Sequence, residues 1–123
     1  MLLPVPVQQE IVAKAPHIAY APTSLPAGWR YRTWTGGTTI VAIIFRKPGG
    51  AEADFFALPF AGSCASGSQG STAGVYWNKG PARWTAWRCL RGVKLIGESL
   101  LASDRLSQAS LVRFVASARR LGG

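Results

Sequence analysis

Trp29-Arg30-Tyr31-Arg32-Thr33-Trp34-Thr35, Gly36-Gly37, Thr38-Thr39-Ile40-Val41-Ala42-Ile43-Ile44-Phe45-Arg46 is the stretch whose reading decides the fold. Its two flanks are rich in β-branched and aromatic residues, which suit a pleated, half-buried surface. The glycine pair between them tolerates positive φ and predicts a hairpin turn. Within Thr38 to Phe45 both alternating sets, Ile40, Ala42, Ile44 and Val41, Ile43, Phe45, are apolar. Alternation with an apolar residue on each side predicts a central strand covered on both faces.

Outward from this hairpin, further β-like runs recur between Gly-containing breaks, at Ala53 to Phe60, Thr72 to Trp77, Trp84 to Arg91 and Val93 to Glu98. Pro48-Gly49-Gly50 marks the turn after the hairpin. Breaks this short exclude parallel pairing, which needs a crossover of a dozen or more residues. The prediction is an α+β fold with an antiparallel meander of about six strands packed by a C-terminal helix.

That helix is the clearest single element. Ser107 stands at an N-cap position, and Leu111, Val115, Ala118 and Leu121 recur at helical spacing. Arg119 and Arg120 fall in the expected last turn, where cations complement the helix dipole, and Gly122-Gly123 should end the run. At the other end, Pro4, Pro6, Pro16, Pro22 and Pro26 break the chain into short pieces. Residues 1–24 therefore read as an irregular Pro-rich segment in which Gln8 to Lys14 suits either a strand or a helical turn. Residues 25–123 form one α+β domain, and Ala61 to Gly74, with four Gly and four Ser, reads as a mobile surface loop.

A chain of 123 residues with 48% hydrophobic content has the material for one core, and wholesale disorder is excluded. No apolar run approaches the roughly 20 residues of a membrane-spanning helix. Met1 to Val7 lacks the basic start of a signal peptide and is broken by Pro4 and Pro6. The formal net charge of +9, mostly from arginine, favours anionic partners such as nucleic acid, lipid headgroups or cell-wall polymers, and equally serves solubility.

Catalytic patterns are sparse. The Gly/Ser stretch lacks the order and the lysine of a phosphate-binding loop. Gly70-Ser71-Thr72-Ala73-Gly74 has Thr where a nucleophile elbow carries Ser. The single histidine, His17, sits beside Pro16, poorly placed to activate Cys64, Cys89 or a serine. Paired carboxylates would have to come from Glu10, Glu52, Asp54, Glu98 and Asp104; Glu52 and Asp54 share a strand face but read as solvated charges. Two cysteines and one distant histidine make no zinc spacing. The expectation is no enzyme activity, no catalytic residue, no metal and no cofactor.

Two features carry more. Cys64 in the flexible loop and Cys89 in a β-like run suit a disulfide tethering the loop to the sheet, and with it an oxidising compartment. Basic and aromatic residues also interleave. Arg30, Arg32 and Trp34 should share one strand face, and Trp84, Ala86 and Arg88 another. If these faces adjoin and are open, Arg30, Arg32, Trp34, Trp84 and Arg88 form a platform for stacking on bases or sugars while guanidinium groups meet phosphate. The competing reading buries the tryptophans and lets the arginines reach solvent along their stems.

Val75-Tyr76-Trp77, Trp84-Thr85-Ala86-Trp87-Arg88-Cys89-Leu90, Val93-Lys94-Leu95-Ile96, the helix Leu111 to Leu121 and the opening Leu25-Pro26-Ala27-Gly28-Trp29 together resemble the extracytoplasmic domains of bacterial anti-sigma factors and envelope lipoproteins. The resemblance spans about Leu25 to Leu121 and implies a fold and a location, without catalytic residues to carry over. It leads to the expectation of a non-enzymatic extracytoplasmic binding or sensory domain, taking an anionic ligand or a protein partner on its sheet face or Gly/Ser loop. The periplasm or cell surface is the expected location if an export segment has been removed ahead of Met1, and the cytoplasm otherwise. The alternative is a cytosolic single-stranded nucleic-acid-binding protein using the basic and aromatic face.

Overall fold

A computed structural model describes residues 2–100 and 104–122; Met1, and Gly123 with which the final helix was expected to end, lie outside them. Helix α1 (Val5–Lys14) and strand β1 (Tyr20–Ala21) precede the hairpin β2 (Arg30–Gly36) and β3 (Val41–Arg46), then β4 (Glu52–Pro59). Next come β5 (Gly70–Thr72), β6 (Val75–Lys79), β7 (Arg83–Leu90) and β8 (Val93–Leu100). Helix α2 (Gln108–Ala116) and β9 (Arg119–Arg120) complete the chain. The fold is α+β, with a seven-stranded antiparallel sheet in the order β2-β3-β4-β8-β7-β6-β5 and a two-stranded sheet β1-β9.

The expected single meander of six strands is instead two meanders, β2-β3-β4 and β5-β6-β7-β8, joined where β8 pairs with β4. The connection from β4 must therefore cross over β8, β7 and β6 to reach the edge strand β5. Each turn has a local cause. Gly36 has φ 146°, and a Cβ there would stand 2.2 Å from the Ile40 carbonyl oxygen, so the hairpin requires glycine at that point. Ala73-Gly74 links Thr72 to its partner Val75 with both residues at positive φ, 50° and 79°, the two-residue turn that matches strand twist. A strand and a tight turn thus occupy the far end of the stretch read as a mobile loop.

Both helices pack on one face of the sheet. Val41, Ile43 and Phe45 of β3, Ala53, Phe55 and Ala57 of β4 and Leu95 of β8 point into this layer and are fully buried. Phe114 of α2 meets Phe45 and Phe55 edge-to-face at 5.7 and 6.1 Å. Gly97 on β8 lets α2 come close, since a Cβ there would lie 2.7 Å from Val115 Cγ2 and 2.9 Å from Phe114 Cδ2. Ser99, a fully buried polar residue, accepts a hydrogen bond from the Leu106 amide at 3.2 Å.

The Pro-rich start is more ordered than its composition predicts. Pro4 caps α1 and Pro6 sits in its first turn, where a missing N–H costs nothing, so these prolines start the helix rather than break it. Ile11, Ala15, Ile18, Ala19 and Ala21 join the same buried core as the sheet.

Ser107 caps α2 by accepting from the Ser110 amide at 3.1 Å. Leu111, Val115, Ala118 and Leu121 are all buried, yet the helix ends at Ala116. Arg119 and Arg120 are therefore not in a last helical turn; they form β9 against β1. The cause is tertiary. Ser117 Oγ accepts from the Thr23 and Ser24 amides, both at 3.0 Å, and Thr23 Oγ1 donates to the Ser117 carbonyl at 2.8 Å. The N-terminal segment thereby captures the helix end, and the Leu121 amide donates to the Ala19 carbonyl at 2.7 Å.

Candidate functional site on the open sheet face

The sheet's other face carries no helix among the described residues. Because strand partners share a face, the register arranges this surface in rows. One row runs Ile44, Asp54, Glu98, Thr85, Asn78. The next runs Ala42, Phe56, Ile96, Trp87, Tyr76, and beyond it lie Leu58, Lys94 and Cys89. On the side of the carboxylates, Arg46 pairs with Glu52 at 3.4 Å, and Arg83 with Glu98 at 2.9 Å. Polar and apolar rows therefore lie side by side.

β3 is accordingly not covered on both faces as its pattern predicts. Val41, Ile43 and Phe45 are buried, whereas Ala42 and Ile44 are half-buried and Ile40 is 39% exposed.

The connection from β4 to β5 lies across the β8-β7-β6 side of this face and is pinned there. Cys64 and Cys89 form a disulfide with Cα atoms 5.8 Å apart, so the loop is tethered to the sheet as the cysteine pair predicts. Trp87 Nε1 donates to the Cys64 carbonyl, and Asn78 Nδ2 donates to the Gly67 carbonyl at 3.2 Å. Gln69 Oε1 accepts from the Lys79 amide at 3.0 Å. Between loop and sheet lies a cleft of about 290 Å³ lined by Ser66, Gly67, Asn78, Thr85, Trp87, Lys94 and Ile96. Lys94 Nζ lies 4.7 Å from the Phe60 ring centroid and 5.5 Å from that of Trp87, and Tyr76 stacks on Trp87.

Three of the chain's five carboxylates converge on the open face. Asp54 and Glu98 are direct cross-strand partners, and Glu52 lies two residues from Asp54 on the same face. Burial, then the hydrogen bond and charge of Glu52 and the charge of Glu98, push the Asp54 carboxyl up to about 7, with Arg83 opposing. Its Oδ1 is buried without a hydrogen-bond partner. The expected solvated edge charge is thus a half-buried acid in the middle of the sheet. Among the described residues, no group of three or more His, Cys, Asp or Glu is placed to hold a metal ion. No described helix is long and apolar enough to cross a membrane.

The five residues of the expected basic and aromatic platform are not brought together. β2 and β7 are separated by β3, β4 and β8, a distance of about 19 Å at the usual strand spacing. Arg30 is exposed on the open face opposite Arg46, and Arg32 sits at a register shift in β2. That shift moves Trp34 to the opposite face, where its Nε1 donates to Glu10 Oε1 at 2.7 Å and Lys14 lies over its ring. Trp84 and Arg88 also face the helices. Trp84 lies under Lys79 and Arg105, at 4.9 and 4.1 Å, and Arg88 Nη2 donates to the Ala118 carbonyl at 3.0 Å. Burial first, then the charge of Arg119, lowers the Arg88 pKa from its ordinary value.

Phe56, Ile96, Trp87, Lys94 and the Asp54–Glu98 pair were not singled out from sequence. A signal existed in the alternation of Asp54, Phe56, Leu58 against buried Phe55 and Ala57, but only the β4–β8 register makes neighbours of the two strands. In comparison with known proteins, the chain matches no family model and no curated protein.

Proposed function

We propose that this chain is a non-enzymatic, extracytoplasmic binding or sensory domain of a bacterial envelope protein, with the open sheet face as its binding surface and the tethered loop as one wall. The observation that carries the reading is the disulfide that pins the loop across this face and leaves a cleft beside it. A loop held by a covalent bond keeps its cleft without a ligand to order it, which reduces the entropic cost of binding. The cleft combines an aromatic and aliphatic floor with amide, hydroxyl and ammonium groups, the mixture expected of a ligand pocket. Disulfides persist in oxidising compartments, and this supports a location outside the cytoplasm, in line with the resemblance to anti-sigma-factor and lipoprotein domains.

A fragment screen read by amide chemical shifts on the oxidised protein tests this. Hits should gather on Asn78, Thr85, Trp87, Lys94 and Ile96, and should weaken when the disulfide is reduced. Hits confined to the helix-covered side, or indifferent to reduction, would count against the reading.

A further inference from the structure

Of the residues that line the cleft beneath the tethered loop, Lys94 alone carries a charge. It is half-buried, with its Nζ 4.7 Å from the Phe60 ring centroid and 5.5 Å from that of Trp87. Two rings hold an ammonium in place without cancelling its charge. None of the chain's five acidic side chains is placed to cancel it either. Glu98 stands four residues on along the same face of β8, with Cα atoms about 13 Å apart by strand rise, and is paired with Arg83; Asp54 lies beyond it on β4. Glu52 pairs with Arg46, Glu10 accepts from Trp34 on the other side of the sheet, and Asp104 lies against Gly49 in the turn between β3 and β4. Lys94 accordingly makes no ion pair among the described residues. A positive charge held beside an apolar floor suits the anionic end of a ligand.

The remaining walls define the rest of that ligand. Trp87 Nε1 already donates to the Cys64 carbonyl and Tyr76 stacks on the ring, so Trp87 and Ile96 offer a floor and no hydrogen bond. At the end away from Lys94 stand Thr85 and Asn78, a hydroxyl and an amide, both uncharged. The roof is close. Asn78 Nδ2 reaches the Gly67 carbonyl at 3.2 Å and Trp87 reaches that of Cys64, so loop backbone and sheet side chains are one hydrogen bond apart at both points. A slot of this depth takes a flat body more readily than a bulky one, and its volume of about 290 Å³ is at the lower end for ligand pockets. Resting on the reading of this cleft as the binding site, we infer that its ligand is a small planar ring carboxylate, with the carboxylate on Lys94 Nζ, the ring over Trp87 and Ile96, and a neutral hydroxyl or amide at Thr85. The charge-assisted contact at Lys94 selects the acid, and the Thr85 hydroxyl fixes which end of the ring faces it.

The test titrates para-hydroxybenzoate and its uncharged counterpart para-hydroxybenzamide into the oxidised chain, read by amide chemical shifts. The acid should shift the amides of Thr85, Trp87, Lys94 and Ile96 and bind at least roughly tenfold more tightly than the benzamide. Lys94→Met keeps the length of the side chain and removes its charge; it should weaken the acid roughly tenfold and leave the benzamide as it was. Thr85→Val should weaken para-hydroxybenzoate and leave benzoate unchanged. Equal binding of acid and benzamide by the unaltered chain would overturn the inference without recourse to any variant, and so would an affinity unchanged in Lys94→Met. Inorganic phosphate shifting the same amides as strongly would show a site for bare anions and overturn it also. If neutral fragments gather in the cleft while the acid fails, the carboxylate inference falls alone; if no fragment gathers there, the reading of the cleft falls with it.

Discussion

At the scale of the residue, Gly97 and Asp54 set opposite constraints. Gly97 is required because α2 rests on it. Gly97→Ala should destabilise the fold by about 1–3 kcal/mol through overpacking against Val115 and Phe114, read as a lower urea midpoint with unchanged slope. Asp54 is the reverse case, a residue that the fold tolerates at a cost. Its carboxyl pKa of about 7 lies above the unfolded value, so the native state holds its proton more tightly. Its contribution is fully present below the unfolded pKa and is lost as pH rises through about 7. The groups facing it are Glu52 on its own strand, Glu98 on β8 and Arg83 on β7. Asp54→Asn should therefore raise the melting temperature at pH 8 and bring little gain at pH 4. Equal effects at both values would show that charge crowding is not the cause.

At the scale of the element, the tethered loop and the end of α2 show how long-range contacts overrule local preference. A stretch rich in glycine and serine is held across three strands by one covalent bond and a few hydrogen bonds. Replacing both Cys64 and Cys89 by serine should cost about 3 kcal/mol by the chain-entropy account and speed amide exchange at Gly67 and Gln69. Protection unchanged in the variant would mean that the hydrogen bonds alone hold the loop. Helix α2 stops at Ala116 because Ser117 caps the incoming Thr23 and Ser24 amides. Ser117→Ala should cost about 1 kcal/mol and loosen the β1–β9 pair, seen as faster exchange at the Leu121 amide, with α2 itself retained.

At the scale of the whole molecule, the helices and the N-terminal segment cover one side of the sheet, and the second side is left half-apolar with its charges grouped. On that open side Glu52, Asp54 and Glu98 stand among Arg30, Arg46, Arg83 and Lys94, so charges of both signs flank the apolar row. If the chain works outside the cytoplasm, protein taken from its native compartment should resist thiol alkylation until it is reduced, a mass measurement that reads Cys64 and Cys89 together. Ready alkylation before reduction would place its working state in a reducing compartment.

The positions of β2, β3, β4, β6, β7 and β8, the Gly36-Gly37 hairpin, the Ser107 cap, the buried stripe Leu111, Val115, Ala118 and Leu121 and the Cys64–Cys89 pairing were legible in the sequence. Each depends on neighbours within a few residues or, for the cysteines, on there being only two to pair. What the chain alone left undecided depends on which strands become neighbours. The β4–β8 pairing brings Asp54 beside Glu98 and Phe56 beside Ile96, residues forty apart or more, and no local periodicity encodes that choice. The same holds for Trp34, turned to the opposite face by one unpaired residue in β2, and for Arg119 and Arg120, drawn into a strand by a segment about a hundred residues earlier. Local sequence determined the six long runs of strand and the start of α2; tertiary structure decided where α2 ends and which side chains share a surface, because that surface is built from pairings whose entropic cost only the completed core offsets.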